Sequence, residues 1–137
     1  MNEVFVDTAA WLALLNQSDQ LHQQAKAVEK SLHASRCLWV TTDFILIEVA
    51  DALCSVSQRS QTAKLIRNLK SLKSVLVVPL DSELLEQGFA LYESRLDQDW
   101  GLTDCTSFVV MEQRRITEAF TSDRHFEQAG FVRLIKP

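Results

Sequence analysis

Five short apolar, β-prone runs are set along this chain, and segments with helical spacing of apolar residues fill the space between them. The runs cover residues 4–6, 38–40, Val75–Val78, residues 119–121 and residues 131–135. Helices are expected through Trp11, Leu12, Leu14 and Leu15, over residues 20–34, from Thr42 or Asp43 to about Val56, over 60–71 and over 82–96. A further helix begins at Thr103 and runs through Phe108, Val109 and Met111, and a last one, Arg124–Gln128, is stopped by Gly130. Strands that alternate with helices make an α/β chain with a parallel sheet covered on both faces. The expected architecture is a central parallel sheet of four to five short strands, all in one domain spanning residues 1–137.

Parallel sheets of this kind bind ligands beyond the carboxyl ends of their strands. Four acidic residues lie at or near such strand-to-helix junctions: Asp7 in Val4-Phe5-Val6-Asp7-Thr8, Glu48 in Phe44-Ile45-Leu46-Ile47-Glu48-Val49, Asp104 in Gly101-Leu102-Thr103-Asp104-Cys105, and Asp123 in Phe120-Thr121-Ser122-Asp123. Each is embedded in apolar sequence, where an unpaired carboxylate is costly to bury. Asp7, Asp104 and Asp123 could each be a helix cap, but Thr103 and Ser122 are equally able to cap the second and third helices. Asp43 is read as the cap of its own helix. Glu48 lies on a segment apolar nearly all round, so it is expected in the interior, where a carboxylate must be neutral, paired or metal-bound. Asp51, one turn on, adds a second negative charge there.

A shared divalent cation would offset the repulsion among these four acids. With no Cys/His spacing suited to zinc, the oxygen donors point to Mg²⁺ or Mn²⁺. No serine–histidine or cysteine–histidine nucleophile and no glycine-rich phosphate loop stands out, so direct attack by metal-activated water on a phosphodiester is the economical chemistry. The net charge of −4 argues against a general nucleic-acid coat, yet neutralising the four acids brings it to zero. Cys37, Cys54 and Cys105 sit in apolar contexts and are read as reduced core thiols. No run is long enough to span a bilayer, and the N-terminus lacks a basic stretch before Asp7, so a cytoplasmic protein with no membrane partner is expected.

The ordered set of motifs resembles the PIN domain, the nuclease fold of VapC-type toxins in bacterial toxin–antitoxin pairs. Val6-Asp7-Thr8-Ala9-Ala10-Trp11-Leu12 resembles the family's first aspartate motif, and Thr41-Thr42-Asp43-Phe44 through Glu48 its helix-borne glutamate. Trp100-Gly101-Leu102-Thr103-Asp104-Cys105 resembles the third motif, with Gly101 where many relatives carry serine. Thr121-Ser122-Asp123-Arg124-His125-Phe126 resembles the last. The resemblance implies a metal-dependent endoribonuclease with Asp7, Glu48, Asp104 and Asp123 as metal ligands and catalytic groups, an RNA substrate, a homodimer and a small antitoxin partner. Asp104 and Asp7 would be direct ligands, Glu48 a ligand or water-orienting base, and Asp123 could act through a water.

Thr8, Thr103 and Arg124 are candidate substrate contacts beside the acids. Arg59, Lys64, Arg67 and Lys70 are the densest basic set, expected on one helical face opposite Leu65, Ile66, Leu69 and Leu72, either as a solvated surface or as a track for RNA phosphates. His125 invites a general-acid role, against a default of surface or packing; Trp11 and Trp100 are expected in the core. An aspartyl phosphohydrolase would want a second aspartate where Ala9 stands, and a phospho-receiver a late lysine that Thr121-Ser122-Asp123 does not offer. The alternative from another class is a non-catalytic PIN-fold binding module that keeps the metal site and partner surface.

Overall fold

The computed structural model describes residues 2–136. Along them run β1 (Glu3–Val6), α1 (Thr8–Leu15), α2 (His22–Ala34), β2 (Leu38–Thr42), α3 (Asp43–Ala52), α4 (Val56–Ser71), β3 (Val75–Val78), α5 (Ser82–Ser94), α6 (Leu102–Arg114), β4 (Glu118–Phe120), α7 (Arg124–Gln128) and β5 (Val132–Arg133). The strands form one parallel sheet in the order β3-β2-β1-β4-β5, with Phe5 opposite Val40 on one side and Ala119 on the other. Val4, Phe5 and Val6 are consecutive and all fully buried, as a central strand covered on both faces requires. No helix among the described residues is long and apolar enough to cross a membrane.

The strand order sets the position of any ligand cleft. From β1 the chain moves outward through β2 to β3, then crosses back to place β4 on the opposite side of β1. The reversal falls between β1 and β4, so a crevice opens at their carboxyl ends. Asp7 follows the last residue of β1, and Asp123 lies three residues beyond the end of β4.

The helices that flank this crevice are held by specific packing. Phe126, fully buried on α7, packs tilted at 6.2 Å from Phe5 and edge-on at 5.0 Å from Phe108 of α6, and thereby locks α7 and α6 against the sheet. Gly88 lets α5 lie against α6: a Cβ there would fall 2.5 Å from Thr106 Cγ2 and 3.2 Å from the Thr106 backbone. This close approach fixes α6 two residues from Asp104.

Several local expectations give way. The helix after β2 stops at Ala52 instead of continuing to about Val56, and the next begins at Val56. Cys54 therefore sits exposed in the connection, and only Cys105 of the three thiols is a buried core group. Helix α3 is not buried all round: Ile45, Leu46 and Val49 face inward, whereas Ile47 is 48% exposed and Glu48, Asp51 and Ala52 face solvent. Asp43 is not a cap, since Thr42 accepts from the Ile45 N–H at 3.1 Å. The Asp43 carboxylate instead accepts the Leu80 N–H at 3.0 Å and pairs with Lys70 Nζ at 2.9 Å. Lys70 holds the Asp43 carboxyl below the usual carboxylate range against the upward push of its partial burial.

Candidate active site

Asp7 stands at the cap position of α1 in extended backbone, yet its side chain makes no capping bond. Its N–H donates to the Phe120 carbonyl at 3.1 Å, which stitches the ends of β1 and β4 together. The Thr121 hydroxyl donates to Asp7 Oδ2 at 2.7 Å and accepts the Asp123 N–H at 3.0 Å. One threonine thus sets two of the acids. Asp7 is only 6% exposed. Burial pushes its carboxyl up to about 7; the Thr121 hydroxyl and Thr8 N–H pull it down, and the nearby Asp104 and Asp123 carboxylates push it further up.

Asp104 is the third residue of α6, and Oδ2 reaches back to accept the Gly101 N–H at 3.1 Å. The helix begins at Leu102, one residue before the expected start, so Thr103 is not the cap; its carbonyl accepts the Thr106 and Ser107 hydroxyls. The same Oδ2 lies 2.8 Å from His125 Nδ1. Burial raises the Asp104 carboxyl above its ordinary range, opposed by the His125 and Gly101 hydrogen bonds. Asp123, not Ser122, caps α7: its Oδ1 accepts the His125 N–H at 2.9 Å and lies 3.5 Å from the His125 ring nitrogen. One ligand atom each from Asp104, Asp123 and His125 falls within 4.8 Å of the others.

Glu48 occupies a different environment. It is exposed on α3, contrary to the expected interior position, and its Oε1 accepts the Thr8 hydroxyl at 2.6 Å. Thr8 follows Asp7, so this bond ties the glutamate to the rim of the crevice. Thr8 is accordingly a positioning contact of an acid in the structure. Arg124 is exposed at the start of α7 and makes no ion pair among the described residues.

The basic set lies elsewhere. Arg59, Arg67 and Lys70 line a cavity of about 460 Å³ between α3 and α4, together with Ile66, which the sequence put on the opposite face. Lys64 does not line it, Lys70 is engaged by Asp43, and Arg59 donates to the Cys54 carbonyl at 2.7 Å. The groove touches the acidic region only through Asp51, one turn beyond Glu48. Trp100 is buried, with Arg95 over its ring at 4.8 Å and its Nε1 donating to Gln128 at 3.2 Å.

Two groups central to this geometry were underweighted by sequence reading. Thr121 had no assigned role, although a hydroxyl at the end of a strand two residues before an aspartate is a usable signal. His125 follows Asp123 by two residues on the first turn after a strand, a spacing that puts both on the same side of a junction. The arrangement is a half-buried set of carboxylate oxygens with one imidazole nitrogen. Such donors suit a divalent cation, and no lysine or arginine among the described residues neutralises Asp7, Asp104 or Asp123.

Comparison with known proteins bears on this geometry. Residues 4–132 match the PIN domain family. The 23S rRNA-specific endonuclease VapC20 of Mycobacterium tuberculosis, from strains CDC 1551 and H37Rv, is 30% identical over 129 residues, covering 94% of this chain and 95% of the relative. The crystal structure of Mycobacterium tuberculosis VapC20, described as a sarcin–ricin-loop-cleaving toxin, matches with a TM-score of 0.82 at 29% identity over 98% of this chain and 100% of that one. FitAcB from Neisseria gonorrhoeae matches at a TM-score of 0.65 and 14% identity over 94% of each chain, a likeness of fold alone.

Proposed function

The chain belongs to the PIN domain family, and from that premise we propose that it is a divalent-metal-dependent endoribonuclease, the toxin of a VapBC-type pair. The observation that carries this reading is the convergence of Asp7, Asp104 and Asp123 at the β1/β4 crevice, with the Asp7 carboxyl raised to about 7 where no lysine or arginine among the described residues neutralises it. A buried acid so disfavoured as an anion fits a centre completed by a cation.

Asp7, Asp104 and Asp123 would hold Mg²⁺ or Mn²⁺, with Glu48 either a further ligand or the acid that orients water. When bound, such an ion supplies charge neutralisation and lowers the pKa of water for hydrolysis of a phosphodiester. The remaining work falls to the protein. The Thr121 hydroxyl orients Asp7, and the Gly101 N–H orients Asp104. Glu48, steadied by the Thr8 hydroxyl and open to solvent, is suited to orient the attacking water or accept its proton. Arg124 and Thr103, at the mouths of α7 and α6, are the proposed contacts to RNA phosphate, and Arg59, Lys64, Arg67 and Lys70 a more distant set.

A homodimer and a small antitoxin belong to the same proposal, as does a cytoplasmic location with RNA at hand. Helix α5 supports a dimer surface, with exposed Leu85, Phe89 and Tyr92 at helical spacing. The α3–α4 groove, lined by apolar residues such as Leu53 and Ile66 together with Arg59, Arg67 and Lys70, supports a protein partner.

Incubation of the purified protein, freed of any co-purified partner, with cellular RNA and ribosomes in Mg²⁺, Mn²⁺ or EDTA tests the proposal. Metal-dependent cutting that Asp104→Asn abolishes is expected, and fragment ends would name the target. The 23S rRNA in the name of VapC20 is the first candidate. Folded, metal-bound protein that cuts no RNA would sink the nuclease reading and favour a binding module.

A further inference from the structure

Among the described residues, the group of potential metal ligands that comes together within 4.8 Å is not made of three carboxylates. Its members are Asp104, Asp123 and His125. His125 Nδ1 lies 2.8 Å from Asp104 Oδ2 and 3.5 Å from Asp123 Oδ1. Neighbouring donors around a six-coordinate ion with bonds of about 2.1 Å are about 3 Å apart, so both separations approximate edges of one coordination polyhedron.

The ring is held in this position from two sides. The His125 backbone N–H donates to Asp123 Oδ1 at 2.9 Å, which fixes the first turn of α7 relative to the acid. The next residue, Phe126, is fully buried against Phe5 and Phe108, so α7 cannot rotate to carry the ring away without opening the core. Among the described residues, His125 is the only basic side chain within ion-pair distance of Asp104 or Asp123. It faces the cluster with Nδ1, which hydrogen-bonds Asp104 Oδ2 in this structure; an ion would take the place of that bond, with the ring proton on Nε2 and the Nδ1 lone pair turned to the metal.

We infer that His125 is a direct nitrogen ligand of the divalent ion held by Asp104 and Asp123, and that it biases the centre toward Mn²⁺ over Mg²⁺. The inference rests on the metal centre proposed above and specifies its donor set. The chemistry is that of donor softness: Mg²⁺ binds oxygen almost exclusively and sheds water reluctantly, whereas Mn²⁺ accepts an imidazole among carboxylates more readily. Glu48, exposed on its own helix, is then free to act on water or substrate outside the inner shell.

Pulsed electron paramagnetic resonance on the full chain loaded with Mn²⁺ tests this without any substitution and without RNA. A ¹⁴N modulation from a directly bound imidazole is expected, and His125→Gln removes it. Calorimetric titration should show Mn²⁺ affinity falling about tenfold or more in His125→Gln. Mg²⁺ affinity should fall less, so the Mn²⁺/Mg²⁺ affinity ratio drops. Bound Mn²⁺ with no ¹⁴N modulation would overturn the inference and leave the nuclease reading standing. An equal loss for both metals in the variant would also overturn the Mn²⁺ bias and mark His125 as a hydrogen-bonding support of Asp104. Failure of the wild-type chain to bind either metal would overturn the inference together with the centre itself.

Discussion

The two walls of the crevice are built differently. The wall formed by the ends of β1 and β4 with the first turns of α6 and α7 is interior construction. Its carboxylates are held by the Thr121 hydroxyl, the Gly101 and His125 N–H groups and the His125 ring, and Phe126 pins the scaffold behind them. The α3 wall carries one acid, Glu48, exposed and held by a single hydroxyl from Thr8. Low dielectric makes the first wall costly when empty and strong when filled; water screens the second. The difference separates a rigid cation seat from an adjustable acid that faces substrate and solvent.

The sharpest break between the walls is expected in activity. Asp104→Asn should reduce RNA cleavage to the level of the EDTA control with the thermal transition preserved, while Glu48→Gln should lower the rate and leave metal-dependent cleavage measurable. Equal and complete loss in both, in single-turnover assays at saturating metal, would erase the distinction.

Stability should divide them by pH. In EDTA, the folded Asp7 carboxyl at about 7 lies above its ordinary 3.8, so the folded chain binds this proton more tightly than the unfolded chain does. Its contribution to stability is complete below about pH 4 and is lost as pH rises toward 7, by up to roughly 4 kcal/mol. Urea midpoints across that window should fall with pH in wild type and lose this slope in Asp7→Asn. Saturating metal should restore stability at pH 8 in wild type only. A wild-type profile identical to that of Asp7→Asn would show that the interior wall carries no such penalty.

Smaller contrasts follow at the supporting hydroxyls. Thr121→Val removes a bond to Asp7 and an acceptor for Asp123, and should weaken metal binding by about 10- to 100-fold. Thr8→Val should leave metal affinity nearly unchanged and show its effect in the cleavage rate. Titration calorimetry beside kinetics resolves the two. Away from the crevice, Lys70→Met breaks a half-exposed pair with Asp43 and should cost less than about 1 kcal/mol in chemical denaturation, more at low salt than high.

Sequence reading reached the alternation of elements, the parallel sheet and the positions of Asp7 and Asp123 beyond strand ends; Asp104 instead follows a helix, α5, and Glu48 lies in the middle of α3. The third strand, Val75–Val78, and the last helix, Arg124–Gln128, were legible residue for residue, because turn residues or polar junctions bound short, unambiguous patterns. Helix α3 was not. Its apolar residues surround the axis, and neighbours decide which stripe packs, so Ile47 is exposed while Ile45 is buried. Its early end at Ala52 has no glycine or proline to announce it. Capping stayed open at α6 and α7 for a related reason: adjacent polar residues compete for one set of N–H groups, and only the folded chain gives the Gly101 N–H to Asp104 and the His125 N–H to Asp123. Thr121 and His125 acquire their meaning only when β4 lies beside β1, a pairing that spacing along the chain does not encode.

The bond from Thr121 to Asp7 closes a span of 114 positions. Its consequence concerns timing during synthesis. The first acid leaves the ribosome long before its orienting hydroxyl and its companions Asp104 and Asp123. Every shorter nascent chain lacks a finished centre, whatever metal surrounds it. A ribonuclease made on a ribosome is thereby kept inert until the codons for Thr121 and Asp123 have been read.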